Sequence, residues 1–92
     1  MAFEWDPEKA LINARKHGVL FSTEAVSVFE DENAITIADY ESDPGEERLI
    51  TIGISMKGRT IVVAYTHRGD QIRIISARQA TRHEHEQYEE RQ

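Results

Sequence analysis

The side chains best suited to chemistry in this 92-residue chain are arginines in its second half. Residues 51–80 carry five basic side chains against a single acid, Asp70, which gives a local charge of +4 in a chain of net charge −6. A guanidinium stays charged at any working pH and can bond a phosphate through two parallel N–H groups. The segment therefore fits an anion-binding surface. The alternative is that it neutralises the acidic residues between 22 and 47 across the fold.

Arg73 is the most informative of these arginines because isoleucines surround it on both sides. A guanidinium in a buried strand is costly unless it is paired or bound to an anion. Strand alternation places Arg73 on the face of Ile75 and opposite Ser76. A meander of strands could bring Arg48, Arg73 and Arg78 near one surface of the sheet. The competing interpretation is that these arginines pair with carboxylates of the chain, namely Glu46, Glu47 and Glu84.

Two histidines adjoin basic residues and are candidates for a functional role. His17 follows Lys16 at the predicted end of a helix, where capping the helix or bonding within the core is an equally good interpretation. His67 precedes Arg68 at a predicted strand end, and this position indicates the rim of a site. We therefore keep both histidines as candidates, together with the cations beside them.

No metal site and no cofactor site is predicted. His83 and His85 flank Glu84, but residues two apart point to different sides of a helix and cannot share one ion. The chain has no cysteine, which excludes disulfides and thiolate metal sites. It also lacks a glycine-rich phosphate loop, a nucleophile elbow and a dinucleotide motif.

The composition indicates one soluble domain that spans residues 1–92. The hydrophobic fraction of 39% can fill one modest core, and the 30% of charged residues provide a polar surface. No run approaches the roughly 20 apolar residues that cross a bilayer, and the N-terminus lacks the features of a secretory signal. We therefore predict a protein of the bacterial cytoplasm that makes no membrane contact.

Two helices are predicted to precede the strands. The first runs from Pro7 to His17, because Asp6 is a good N-cap, proline suits the first helical position and Gly18 can end the helix in the left-handed conformation. A second, short helix is predicted to begin at Ser22 or Thr23 and to end in the acidic run that follows it.

After residue 33 the hydrophobic pattern alternates, which predicts four strands, at residues 34–38, 48–55, 60–66 and 71–76. Short turns join the last three strands, and a polar loop is predicted over residues 40–46. The polar tail from Thr81 is predicted to form a solvated helix with Tyr88 as its only anchor. The predicted fold class is therefore α+β, with two N-terminal helices, a four-stranded antiparallel sheet and a C-terminal helix.

Two multi-residue motifs and a weaker middle segment carry a family resemblance. The opening motif comprises residues 3–6, 9–10 and 16–19, with Asn13, Phe21 and Ala25. The closing motif comprises residues 72–78 and 80–82, with Glu84 and Tyr88. The middle segment comprises residues 47–48 and 52–53. In this order they cover nearly the entire chain, and they resemble the signatures of the BrnT-type toxins.

The resemblance implies a RelE-like α+β ribonuclease toxin of a type II toxin–antitoxin pair. Its substrate would be RNA, and cutting that RNA would arrest translation. Its partner would be a small ribbon-helix-helix antitoxin that covers the toxin and forms a hetero-oligomer with it. Operator DNA would be contacted only through this antitoxin.

The same resemblance implies roles for residues that match the family motifs. Arg48, Arg73 and Arg78 would hold the scissile phosphate. His17 and Lys16 would transfer protons or contact the substrate. The chemistry would be acid–base catalysis that uses neither a metal nor another cofactor.

Four further residues complete the implied site. Ser76 would supply a hydrogen bond, and His67 with Arg68 would contact the substrate. Either Glu47 or His67 would be the general base. The alternative function is a non-catalytic interaction domain that keeps the toxin fold and antitoxin binding, since an acidic chain should bind phosphates only weakly at physiological salt.

Overall fold

Five strands form one mixed sheet in the computed structural model, which describes residues 2–39 and 45–91. The strands are Ala2–Glu4 (β1), Ile35–Ala38 (β2), Arg48–Ile54 (β3), Thr60–Arg68 (β4) and Gln71–Gln79 (β5). Their order across the sheet is β1-β5-β4-β3-β2. Two α-helices flank the sheet, Pro7–His17 (α1) and Arg82–Glu90 (α2). Within the described residues, neither helix is long and apolar enough to cross a membrane. Most of the loop predicted over residues 40–46 lies outside the described residues.

The bounds of α1 confirm the prediction made from its capping residues. The Asp6 side chain accepts a hydrogen bond of 2.9 Å from the backbone N–H of Glu8, which satisfies one of the free donors of the first turn. Gly18 adopts φ 68°, and its N–H bonds the carbonyl of Ala14. A left-handed residue of this kind is tolerated by glycine without steric cost, so the helix ends there.

The segment after α1 differs from the predicted second α-helix. It forms a π-helical turn at Phe21–Ala25 and a 3-10 turn at Val28–Glu30. The N–H of Ala25 bonds the carbonyl of Leu20, five residues back. The cap predicted at Ser22 or Thr23 is therefore wrong, because the turn already begins at the buried Phe21, and Ser22 and Thr23 lie within it.

The sheet has a fifth strand that the sequence did not predict. β1 pairs in parallel with β5, with Ala2 opposite Gln71 and Glu4 opposite Arg73. The other three pairings are antiparallel, as predicted. The prediction of a wholly antiparallel sheet of four strands is therefore wrong at this edge. A three-residue strand is too short to show an alternating pattern, and its partner lies far away in the chain.

A β-bulge in β5 changes which side chains share a face. Tyr65 pairs with Ile74 and Ala64 pairs with Ser76, so Ile75 is an extra residue in the ladder. Residues on either side of a bulge no longer follow the simple alternation. Ser76 therefore lies on the same face as Arg73, and the prediction that it lies opposite is wrong.

The two faces of the sheet are covered differently. The π-helical turn and Ala10 of α1 pack on one face, over a core that includes Ile61 and Ile74. The other face is covered by α2, where Tyr88 packs with Ile52 and Val62. The sheet is therefore the middle layer, and β5 contacts α1 along its outer edge.

Tyr88 was the only anchor predicted for α2, but further contacts also hold this helix. The Tyr88 hydroxyl donates to the Asp31 carboxylate at 2.6 Å, and burial together with this carboxylate raises the pKa of Tyr88 to about 12. Thr60 Oγ1 lies 2.6 Å from Nδ1 of His85 on the same helix. The helix also begins with a complete capping box. The prediction of a single anchor is therefore wrong.

Candidate active site

A shallow cleft of about 200 Å³ lies between α1 and the outer edge of β5. Three residues predicted for the site line it together: Lys16, His17 and Ser76. The remaining lining residues are Lys9, Ile12, Asn13 and Ile75. Because the helix and the strand come from opposite ends of the chain, only the folded structure brings these groups together.

The amide of Asn13 fixes α1 against β5. Its Nδ2 donates to the carbonyl of Val19 at 3.0 Å and to that of Ala77 at 2.8 Å, while its Oδ1 accepts from the N–H of Ala77 at 3.1 Å. The side chain is buried and so satisfies backbone groups that no water reaches. The helix turn that carries Lys16 and His17 is therefore held at a fixed position beside the strand.

The basic residues of α1 are the unpaired cations near this cleft. Among the described residues, no carboxylate lies within ion-pair distance of Lys9, Arg15 or Lys16. The arginines that do form ion pairs are Arg48, Arg59, Arg73, Arg78 and Arg82. The open positive charge therefore lies on the helix more than on the strands. Lys9 was not among the predicted site residues, although its spacing of seven residues from Lys16 places both on one helix face.

Two of the predicted arginines lie in one row across the sheet. Arg48 and Arg73 both pair with Thr66, from its two sides, so their side chains share a face. Arg48 lies 3.9 Å from the Asp39 carboxylate, and Arg73 lies 3.5 Å from that of Glu4. Ser76 lies on the same face of β5 as Arg73, about 10 Å farther along the strand.

The third predicted arginine, Arg78, is not brought to the cleft or to this row. Its two terminal nitrogens bond the two oxygens of Glu84 at 2.7 and 2.8 Å. These hydrogen bonds, against the opposing effect of burial, lower the pKa of Glu84 to about 2. For Arg78 the ion-pairing interpretation therefore describes the contact that the structure contains.

A second cavity, of about 380 Å³, contains the other predicted residues. Glu47, His67 and Arg68 line it together with Thr66. The Thr66 hydroxyl donates to the carbonyl of Glu47 at 2.8 Å, and the His67 ring meets that of Tyr65 edge-on, with centroids 5.9 Å apart. Apart from Arg78, the predicted site residues are thus divided between two cavities and the arginine row.

Comparison with known proteins identifies the family of the chain. Residues 5–84 match the family described as the ribonuclease toxin BrnT of type II toxin–antitoxin systems. The chain belongs to this BrnT family. No curated protein matches it. The chain is similar to the crystal structure of the Brucella abortus ribonuclease toxin BrnT, with 25% identity and a TM-score of 0.68 over 89% of this chain and 99% of that one.

The family match confirms the resemblance seen in the motifs of the sequence. It also includes the whole α1–β5 cleft and the arginine row from Arg48 to Arg73. A type II toxin of the BrnT family implies an antitoxin partner, and the toxin class implies a ribonuclease.

The ion pair between Arg78 and Glu84 gives this BrnT-family chain a stability that depends on pH. The pKa of Glu84 is lower in the folded chain, so its contribution is complete above about pH 4.5 and is lost as the pH falls toward 2. We expect Glu84→Gln to lower the free energy of unfolding at pH 7 by about 1–2 kcal/mol, because Arg78 is partly exposed and solvent screens the pair.

Urea unfolding between pH 7 and pH 2 measures this difference. The difference in the free energy of unfolding between the wild-type chain and Glu84→Gln should become smaller as the pH falls below 4.5. Glu86→Gln is the control, because Glu86 pairs with the exposed Arg82 on the same helix. A gap that stays constant down to pH 2 would contradict the assignment.

Proposed function

We propose that this chain is an endoribonuclease toxin that cleaves RNA by metal-independent acid–base chemistry and so inhibits translation. The observation that supports this best is the cleft that brings Lys16, His17 and Ser76 together, with a second unpaired lysine, Lys9, beside them. Its electrostatics favour a phosphate, and its lining contains an imidazole, the side chain that serves most often in general acid–base catalysis.

The proposed reaction uses the 2′-hydroxyl of RNA as the nucleophile. The 2′-oxygen attacks the adjacent phosphorus, its proton passes to a base, and the 5′-oxygen leaves with a proton from an acid. The products are a 2′,3′-cyclic phosphate and a 5′-hydroxyl end. His17 transfers protons in this scheme, Lys16 stabilises charge on the phosphate oxygens, and Ser76 supplies a hydrogen bond.

The arginine row extends the proposed phosphate site from β5 across the sheet to β3. Arg73 reaches the scissile phosphate from the strand, and Arg48 stabilises the same charge from the neighbouring end of the row. Arg78 has a structural role in this proposal because Glu84 already occupies its guanidinium. His67 and Arg68 contact the RNA beyond the cleft, with Glu47 beside them as an alternative base.

The proposed partner is a ribbon-helix-helix antitoxin. It forms a hetero-oligomer with the toxin and neutralises it by covering the cleft. The acidic chain does not contact operator DNA itself, so DNA binding passes through the antitoxin. The proposed location is the cytoplasm, where both the RNA and the antitoxin are present.

We expect the purified chain to cleave RNA in the presence of EDTA, and His17→Ala to lower the rate about 100-fold or more, which is the usual contribution of a general acid or base. Expression without an antitoxin should arrest growth, and His17→Ala should relieve the arrest. Gel analysis of RNA fragments and culture density measure the two effects.

His83→Ala is the matched control, because His83 is an exposed histidine on α2 and lines neither described cavity. It should cleave RNA at the wild-type rate. Cleavage that stops in EDTA would contradict the metal-independent mechanism. An unchanged rate in His17→Ala would remove His17 from that mechanism.

A non-catalytic interaction domain is the second candidate. It is favoured by the net charge of −6 and by the carboxylates that pair with Arg48, Arg73 and Arg78. This candidate predicts harmless accumulation of the free chain, and no RNA fragments, while a stable complex with the antitoxin still forms.

A further inference from the structure

The α1–β5 cleft contains an exposed apolar side chain between two unpaired cations. Ile12 lines the cleft and is 59% exposed. Lys9 and Lys16 line the same cleft and form no ion pair with a described residue. A single exposed isoleucine is ordinary on a protein surface. Its position between two free lysines in a cleft indicates a ligand with both apolar and anionic parts.

Helix geometry spaces these three residues along one face. Lys9, Ile12 and Lys16 stand at positions i, i+3 and i+7, which follow one another on the same side of an α-helix. With a rise of 1.5 Å per residue, the two lysines are about 10 Å apart along the axis, and Ile12 lies between them. The opposite wall of the cleft is Ile75 and Ser76 of β5.

A nucleotide combines the groups that this lining fits. Its phosphates suit the lysines, the face of its base suits Ile12 and Ile75, and its hydroxyls or base edge suit the hydroxyl of Ser76. Among the residues that the structure describes, no carboxylate lines the cleft to repel phosphate. In a duplex the faces of the bases are stacked and inaccessible, whereas a single strand can turn one base outward.

We infer that the α1–β5 cleft is a subsite for one unstacked nucleotide of single-stranded RNA. Ile12 contacts the base, while Lys9 and Lys16 bind the phosphates on its two sides. This inference rests on the proposed ribonuclease function, and it adds the class of substrate and a residue that positions it. Ile12 is a positioning residue, because it contacts the substrate away from the bond that breaks.

The test measures binding without cleavage. The probe is a fluorescent single-stranded RNA of ten nucleotides with 2′-O-methyl groups, which block the nucleophile, and fluorescence anisotropy gives its Kd. We expect Ile12→Ala to raise the Kd about fivefold through the loss of apolar contact. Leu11→Ala is the matched control, because Leu11 is 53% exposed on the same helix and does not line the cleft. It should leave the Kd unchanged.

The lysines are tested through the salt dependence of binding. Each phosphate contact to a single strand adds about 0.7 to the slope of log K against log salt concentration. Lys9→Ala and Lys16→Ala should each reduce that slope by about this amount. Arg15→Ala is the control, because Arg15 is an unpaired cation of α1 that does not line the cleft.

The outcomes separate this inference from the proposed function. If the wild-type chain binds the probe but Ile12→Ala and Leu11→Ala weaken binding equally, or if a duplex binds as tightly as the single strand, the inference is overturned alone. If the wild-type chain neither binds the probe nor cleaves RNA, the proposed function fails as well. If Ile12→Ala weakens binding of the antitoxin and leaves the Kd for RNA unchanged, the cleft takes a protein segment instead.

Discussion

Replacing Arg59 by methionine is expected to destabilise the chain by about 3–5 kcal/mol, because it leaves a buried carboxylate without its partner. Glu24 is 1% exposed and lies in the π-helical turn. Arg59 donates to it through Nε at 2.8 Å and also through its terminal NH2 group, and the Ser55 hydroxyl donates at 2.8 Å. The hydrogen bonds of Arg59, opposed by burial, hold the pKa of Glu24 below its usual range.

The same arginine joins three parts of the chain. Its NH2 group also donates to the carbonyl of Gly18 at 3.1 Å, so it links the end of α1, the π-helical turn and the start of β4. Domains of this size are stable by roughly 5–15 kcal/mol, so the loss of Arg59 would remove a large part of the total. The substitution should therefore also reduce the yield of folded chain.

Urea unfolding of three variants tests this prediction. Arg59→Met alone should be strongly destabilised, whereas the double variant Glu24→Leu with Arg59→Met should recover much of the loss, because no unpaired charge remains buried. Arg82→Met is the control, since its pair with Glu86 is exposed and is worth less than about 1 kcal/mol. Equal stabilities for Arg59→Met and Arg82→Met would contradict the prediction.

Replacing Arg73 by alanine is expected to slow RNA cleavage by about 100- to 1,000-fold. The loss of one preorganised donor to a developing oxyanion costs about 2.7–4 kcal/mol of transition-state stabilisation. Arg73 is half-buried in β5, and its ion-pair partner within the described part of the chain is Glu4, at 3.5 Å. The ion-pair contact of its guanidinium is therefore longer than that of Arg78, which bonds both oxygens of Glu84.

The rate of cleavage by purified variants measures this effect, and circular dichroism verifies that each variant is folded. Arg82→Ala should cleave RNA at the wild-type rate, since Arg82 lies exposed on α2. Arg78→Ala should lose stability more than rate. A folded Arg73→Ala variant that cleaves RNA at the wild-type rate would refute the phosphate-binding role.

The sequence predicted those elements whose signals are local. Asp6, Pro7 and Gly18 fix both ends of α1 through contacts within a few residues, and the helix has the predicted bounds. The isoleucines of β3 alternate along the strand, and β4 contains a β-branched run that is apolar on both faces, so both strands were also predicted. Thr81 and Glu84 have the spacing of a capping box, which also predicts the start of α2 at Arg82.

The remaining features depend on contacts between distant residues. β1 is a strand because it pairs with β5, which lies far away in the chain. The bulge at Ile75 is visible only in the register of β5 against β4. The bulge in turn decides the face on which Ser76 lies. The ion pairs also depend on the folded structure. Nothing near Arg78 in the sequence shows that it bonds both oxygens of Glu84, and nothing near Arg73 shows that its contact with Glu4 is longer.

The amide of Asn13 also limits how this sheet can grow. By bonding both the N–H and the carbonyl of Ala77, it occupies the edge of β5 that an incoming strand would need. Strand addition by another molecule, whether in aggregation or in partner binding, is therefore blocked at this end of β5, which lies beyond the residues that pair with β1. Glutamine is too long to reproduce this contact, and aspartate offers no donor. A single side chain thus closes this part of the β5 edge and, by the same bonds, fixes the helix wall of the cleft against the strand.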